Sequence, residues 1–486
     1  MSLRRLASQS LACFALALPL VACDDTGTSE EDITDVNQSK VKKQSIGNCW
    51  AYATVGWAES LHLTETGNEL NLSESWISYW HWYDQIVGGP GGGTPALASL
   101  DKGQISTGGW YGLAAEIMRR YGVIDEGAFI PEEQEEARSA RQSSALNAIN
   151  ESLKNGALKD PAARRDRKLV RAELDKAWGL SADVIKRLDD TFGATVSKSF
   201  LNGAVPASGS GIQLTKDIPV GMDITLADAI GTPSSSWNFL QRKGKFAWNE
   251  VNYPASASAR RDLQIRMQAA MHDGMPVIMV WFVDFAAMDS QNRFMAPPET
   301  PGRQGGHMTI VEDYQINDVP GFGTLKAGEL VTDPAALDAA LSPQAKIEFI
   351  RMKNSWGTSL APNSSGEEFR GYHDIYAAYF DAQLTRCTES NGDKCGIKSK
   401  TNGLTGLVLP PPTFVTSAKA KPGGCEINLC ATGPKLSAES CQNDAKQECI
   451  DSVCAADSFC CTNSWDEVCV DGAKKNANCS SSLSCG

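Results

Sequence analysis

Cys49 follows a Gly47-Asn48 turn and opens a run in which Trp50, Ala53, Trp57, Ala58 and Leu61 recur at helical spacing. The spacing predicts a helix that buries one face and carries Cys49 at its N-terminus. Unpaired N–H groups and the macrodipole there favour a thiolate, which is the nucleophilic form of cysteine. Gln44 lies just upstream, where a side-chain amide helps hold a developing oxyanion. An inert buried cysteine is the commoner fate of this residue type, so the other cysteines have to decide between the two.

The chain has 15 cysteines in 486 residues. Cys13 lies in an N-terminal segment with Arg4 and Arg5 followed by the apolar run Leu11 to Leu20, the pattern of an export signal over residues 1–22. That segment ends in Leu20-Val21-Ala22-Cys23, which resembles a bacterial lipobox; the resemblance implies a diacylated Cys23 and a lipid anchor at the cell envelope. Residues 23–40 are acidic and polar and read as a flexible tether. Cys387 and Cys395 are near enough in sequence to pair, and ten more cysteines fall between Cys425 and Cys485. Cys49 alone is left over. An odd cysteine in an exported, disulfide-forming chain marks a reactive thiol.

The elements that have to position Cys49 follow in order. Ser73 offers an N-cap to a helix from Trp76 to Ile86, in which His81 reads as a packed or surface residue. Gly88 to Gly93 lacks the Lys-Ser/Thr of a phosphate cradle and reads as a flexible loop. A helix through Arg120 stops at Gly122, and Val123 to Pro131 reads as an extended return. Residues 132–190 turn charged and poor in aromatics, predicting a helical hairpin with a solvated face inside an insert at about 132–250. Val220 to Leu226 reads as a strand. A helix from Arg261 to His272 ends at Gly274 and Pro276. Strands are then expected at Val277 to Val283, from Gly305 with His307 at its mouth, and at Ala345 to Met352. Helices first and strands later indicate an α+β domain. Residues 401–424 read as a Pro/Gly linker and 425–486 as a small disulfide-rich module. A zinc module is disfavoured there because that stretch holds no histidine.

Cys49, His307 and Asn354 stand in the order nucleophile, base, orienter. Gly47-Asn48-Cys49-Trp50-Ala51-Tyr52, Leu72-Ser73-Glu74, Gly108-Gly109, His307-Met308 and Lys353-Asn354-Ser355-Trp356-Gly357 together resemble the papain-like cysteine peptidases. The resemblance spans roughly Val41 to Ala382, less the middle. It implies a two-lobed domain over residues 41–400, a helical lobe plus an antiparallel β lobe, with the disulfide-rich module following. It further implies that Cys49 attacks a carbonyl, His307 pairs with its thiolate, and Asn354 orients the imidazole. Gln44 and the Cys49 N–H line the oxyanion hole, Trp356 covers the His–Asn bond, and Gly108 and Gly109 admit a substrate backbone. No cofactor or metal is implied.

The chain departs from the family in having Gln44 five rather than six residues before Cys49, no further cysteine near the nucleophile, and the long insert. It also has little room before Cys49 for an inhibitory segment, which suggests the insert as a lid over the cleft. The net charge of -13 excludes a phosphate-neutralising surface and therefore nucleic acid as a partner. The expected function is peptide hydrolysis at the bacterial envelope, with a peptide or protein substrate. The rival readings are a catalytically silent peptide- or surface-binding protein on the same fold, and a thiol acyltransferase sharing the acyl-enzyme. The module is expected to bind a surface partner or to stabilise the chain.

Overall fold

The structure is a computed structural model that describes residues 33, 36–89, 96–136, 139, 141–201, 218–221, 224–231, 246–358, 370–387, 390–391, 394–396, 398–411, 414, 429–436, 445–476 and 479. The signal segment, Cys23, Cys425, Cys441 and Cys485 lie outside the described residues.

The helical lobe is built around α1 (Cys49–Thr66). The apolar stripe predicts one buried face, but every residue from Cys49 to Leu61 is buried. Its small residues, Ala51, Ala53, Gly56, Ala58 and Ser60, leave no polar face to turn to solvent, so the helix is enclosed on all sides. Gly67 ends it in the left-handed conformation at φ 68°. Helix α2 (Glu74–Val87) starts where Ser73 accepts from the Trp76 amide, as the N-cap signal predicts. Helix α3 (Tyr111–Tyr121) stops at Gly122. The extended return after it is broken by a helical turn, Glu126–Phe129, which swings the Glu126 carboxylate toward Lys42, 3.8 Å away.

Where a two-helix hairpin is expected, the described part of the insert holds three long helices, α4 (Gln142–Lys154), α5 (Arg167–Trp178) and α6 (Ala182–Phe192), besides shorter turns. Their apolar residues Ile149, Val170, Leu174, Trp178 and Phe192 are fully buried in the main core. Asp175 of α5 accepts from the Tyr79 hydroxyl of α2 at 2.6 Å. These helices thicken the helical lobe.

The second lobe is a seven-stranded antiparallel sheet. Its strands are β1 (Asn249–Asn252), β2 (Val277–Asp284), β3 (Gln304–Val319), β4 (Gly323–Leu325), β5 (Lys346–Lys353), β6 (Tyr372–Tyr376) and β7 (Leu404–Leu409). The order is β1-β7-β2-β3-β5-β6, with β4 on β3. Helix α7 (Ala257–His272) precedes β2. Two expectations are corrected. Residues 220–226 form no single strand: Pro219–Gly221 and Ile224–Thr225 make a small separate hairpin, and Leu226 begins a short helix capped by Thr225. The stretch read as the start of the linker holds β7, an inner strand, because Leu404, Leu407, Val408 and Leu409 need a core and are at most 2% exposed. The sheet lobe therefore runs past residue 400.

The segment read as a tether docks in part. Ile33 and Val36 are buried, and the Gln38 side chain donates to the Val311 carbonyl of β3. Ser39 donates to Glu59 of α1 and accepts from Lys353 of β5. Lys42 reaches Glu59 at 3.2 Å and Glu74 at 3.0 Å. Residues 36–42 thus strap one lobe to the other with apolar and ionic contacts that a freely flexible segment lacks.

Among the described residues, Cys387 pairs with Cys395. In the module Cys449 pairs with Cys479, Cys454 with Cys461, and Cys460 with Cys469, around a small core of Leu429, Ile450, Val453 and Trp465. No described helix is long and apolar enough to cross a membrane.

Candidate active site

Cys49 is the free cysteine among the described residues, and it is 8% exposed. It occupies the first position of α1, and the backbone amides of Met308, Trp50 and Cys49 itself reach its thiol. The contact with Met308 sets the thiol against the mouth of β3, where His307 sits. His307 Nε2 lies 2.8 Å from Asn354 Oδ1, which also accepts from the Ser355 amide at 2.8 Å. Both side chains are buried. Strand β3 pairs with β5 as far as Ile310 and Lys353, and the loop after β5 turns Asn354 back onto the imidazole. Trp356 stacks on His307 with centroids 4.9 Å apart and planes 18° apart. Three residues spread over 306 positions are therefore brought into one site.

The thiolate expected at the helix N-terminus is not the favoured form in this enclosed, substrate-free geometry. Burial pushes the Cys49 thiol up to about 11 against the pull of three backbone amides. Burial also holds His307 down to about 4, opposed by the bond to Asn354 and reinforced by His373. Desolvation thus works against the helix dipole and favours the uncharged form of both groups in this enclosed geometry.

Gln44 is anchored beside this pair. Its backbone amide donates to the Ser355 carbonyl at 2.9 Å, its Oε1 accepts from the Ser355 hydroxyl, and its Nε2 donates to the Ile46 carbonyl at 2.7 Å. One of the two Nε2 hydrogens is spent locally and the other is left for a ligand. Gly108 and Gly109 differ in their reasons for being glycine. A Cβ on Gly109 would stand 2.4 Å from the Trp50 ring, so close packing against α1 explains it. A Cβ on Gly108 would meet only Ser106 Oγ, at 3.9 Å, and this residue is exposed. Gly108 alone of the two faces open space.

Sequence reading missed the residues that hold the loops in place. Asn48, just before the nucleophile, donates to Ser78 of α2 and to Gln142 of α4, both at 3.0 Å. Gln142 in turn donates to Ser75, and Ser143 to the Ser45 carbonyl. Asn150 accepts from the Ile105 amide, Gln85 clasps both backbone groups of Ser106, and Arg164 caps the Leu97 and Leu100 carbonyls. The described part of the insert buttresses the nucleophile turn and the glycine loop, where the sequence suggested a lid. These contacts join residues as far as 98 positions apart, and no local pattern announces them.

Four of the five histidines are shifted down from 6.5 by burial: His81 to about 3, His272 and His307 to about 4, and His373 also lowered. The unfolded chain binds these protons first, so their contribution to stability is complete above pH 6.5 and is lost as pH falls toward 4. Burial raises Glu133 and Asp313 to about 7, and these carboxyls lose stability as pH rises from their ordinary range to 7. The two slopes oppose each other between about pH 4.5 and 6.5. Unfolding titrations in urea should therefore show a mildly acidic stability maximum, with a fall on both sides. A maximum above pH 8 would contradict this balance.

The described residues hold no cluster of His, Cys, Asp and Glu arranged to bind a metal ion. Residues 423–485, the cysteine-rich module, match a family described as a domain of unknown function (DUF8252). No curated protein matches the chain. Among solved structures, the chain is similar to the crystal structure of PepW from Lactobacillus rhamnosis HN001 (DR20), determined as the selenomethionine derivative. That similarity has 12% identity and a TM-score of 0.37, covering 81% of this chain and 84% of that one.

Proposed function

We propose that the chain is a papain-like cysteine peptidase, tethered to the bacterial envelope through a lipid on Cys23 and acting on peptides or proteins. The observation that carries the reading is the His307–Asn354 bond of 2.8 Å under Trp356, with the sole described free thiol against the neighbouring Met308 amide. A buried imidazole held by an amide oxygen on one nitrogen has its other nitrogen free to take and return a proton.

In this reading His307 takes the Cys49 proton as sulfur attacks the carbonyl carbon. Charge that develops on the carbonyl oxygen is held by the Cys49 amide and the spare Gln44 hydrogen. As the C–N bond breaks, His307 returns the proton to the leaving amine. Water then attacks the thioester carbon as His307 takes its proton, the C–S bond breaks to free the acid product, and the proton returns to the Cys49 sulfur. Asn354 accepts from the ring nitrogen throughout and fixes the tautomer, while Trp356 keeps water off that bond.

The test is Asn354→Ala in a peptide-hydrolysis assay. Turnover should fall about a hundredfold or more with KM within about threefold, since orientation matters most in the transition state. A rise in KM at unchanged turnover would contradict the assigned role.

A further inference from the structure

The face of the sheet that carries His307 continues outward through an ordered column of rings. Trp356 stacks on His307, the Phe285 ring lies 5.1 Å from Trp356, and the Arg303 guanidinium lies 4.3 Å above Phe285. Arg303 is exposed. Its backbone is fixed: Phe285 donates to its carbonyl at 2.9 Å, and Asp284 takes hydrogen bonds from Gly302 and Gln304 on either side. That bond continues the β2–β3 ladder, in which Gln304 faces Asp284 and His307 faces Trp281. Alternation therefore puts Arg303, Gly305 and His307 on one face.

Three observations define what this column receives. Asp284, on the strand paired with this segment, is occupied by Ala286, Gly302 and Gln304, and among the described residues no carboxylate forms an ion pair with Arg303. A guanidinium stacked on a ring keeps its in-plane N–H edge free, and that edge fits a carboxylate with two parallel hydrogen bonds. The track between Arg303 and His307 is open, since a Cβ on Gly305, which shares their face, would meet nothing within 4 Å.

Resting on the peptidase reading, we propose that Arg303 selects substrates with a carboxylate on the leaving-group side of the cleaved bond. The leaving amine collects its proton from His307, so the segment it heads extends past the imidazole and Trp356. The ring column spans at most about 14 Å. At about 3.3 Å per extended residue, Arg303 meets the third or fourth residue after the cleaved bond. An Asp or Glu side chain there, or the C-terminal carboxylate of a short substrate, is the preferred ligand.

The experiment separates binding from turnover. Three fluorescent peptides, all amidated at the C-terminus, share one central sequence and end in three Glu, three Gln or three Lys residues, and their binding to the full chain carrying Cys49→Ser is measured by anisotropy at low salt. The Glu peptide should bind about fivefold tighter than the Gln peptide, the scale of a well-oriented exposed pair, and the advantage should shrink at high salt. Adding Arg303→Gln should bring the two within about twofold, and adding Arg303→Glu should put the Lys peptide first. A Glu preference that survives Arg303→Gln, equal binding of all three peptides, or no binding would overturn the proposal. Cleavage of the same peptides by the unaltered chain reads the peptidase assignment separately. Charge-selective binding without cleavage would sink that assignment and leave the Arg303 contact standing. Cleavage without charge selectivity would do the reverse.

Discussion

Cys49→Ser should abolish peptide hydrolysis, leaving less than about a thousandth of the original turnover, while the fold is unchanged. The size follows from the way nucleophile and base act as a unit: removing either loses nearly all the acceleration they provide together. A serine hydroxyl fits the space, but its proton is held far more tightly than a thiol proton, and His307 is already a weak base in its buried position. The serine side chain still meets the Met308 amide that reaches the sulfur, so the turn around Asn48 keeps its support. Circular dichroism and a urea titration should therefore match the parent chain. Residual activity above a thousandth in a folded protein would mean that another group attacks the carbonyl. Unfolding would mean that Cys49 serves packing first.

Lys42→Met should remove about 3–5 kcal/mol from the stability of the two-lobed domain, read by tryptophan fluorescence in urea. Lys42 is 8% exposed and touches three carboxylates that are themselves buried, Glu59, Glu74 and Glu126, at 3.2, 3.0 and 3.8 Å. Its ammonium also caps the Leu72 carbonyl at 2.8 Å. Removing the cation leaves Glu59, Glu74 and Glu126 uncompensated, which is the costly way to break a buried ion pair. The docked strap would loosen with it, because Lys42 is its ionic anchor on the helical lobe. Lys346→Met gives the contrast: its partner Asp318 is 2.9 Å away, but both side chains are largely exposed, so the change should be below about 1 kcal/mol. Equal effects at the two positions would contradict the account of the strap.

The sequence was legible where chemistry is written in consecutive residues. The Cys49 turn, the His307 strand and Lys353 to Gly357 are each local, and each lands at the site where its pattern places it. Cysteine arithmetic reached Cys49 independently, and the Cys387–Cys395 pair formed as spacing suggested. Errors arose where tertiary context overrode a local signal. Leu404–Leu409 was folded into a linker because prolines follow closely, although its apolar run belongs inside the sheet. The stretch read as a solvated tether, 23–40, holds Ile33 and Gln38, whose partners Asp313 and Val311 lie 280 and 273 positions away. The hold of Gln142 on Asn48 has no sequence signature. Helix position, which favours a Cys49 thiolate, is visible in sequence, whereas the desolvation that opposes it is not.

The most direct measurement is covalent capture of the nucleophile. The chain lacking residues 1–23 is exposed to an epoxysuccinyl peptide at mildly acidic pH, and the adduct is located by mass spectrometry, with His307→Ala alongside. The account predicts one adduct, on Cys49, formed rapidly in the parent chain and at least a hundredfold more slowly without the imidazole. Labelling of Cys49 at the same rate in both proteins would show a thiol that needs no base. That result would contradict the assignment of Cys49 and His307 as a catalytic pair.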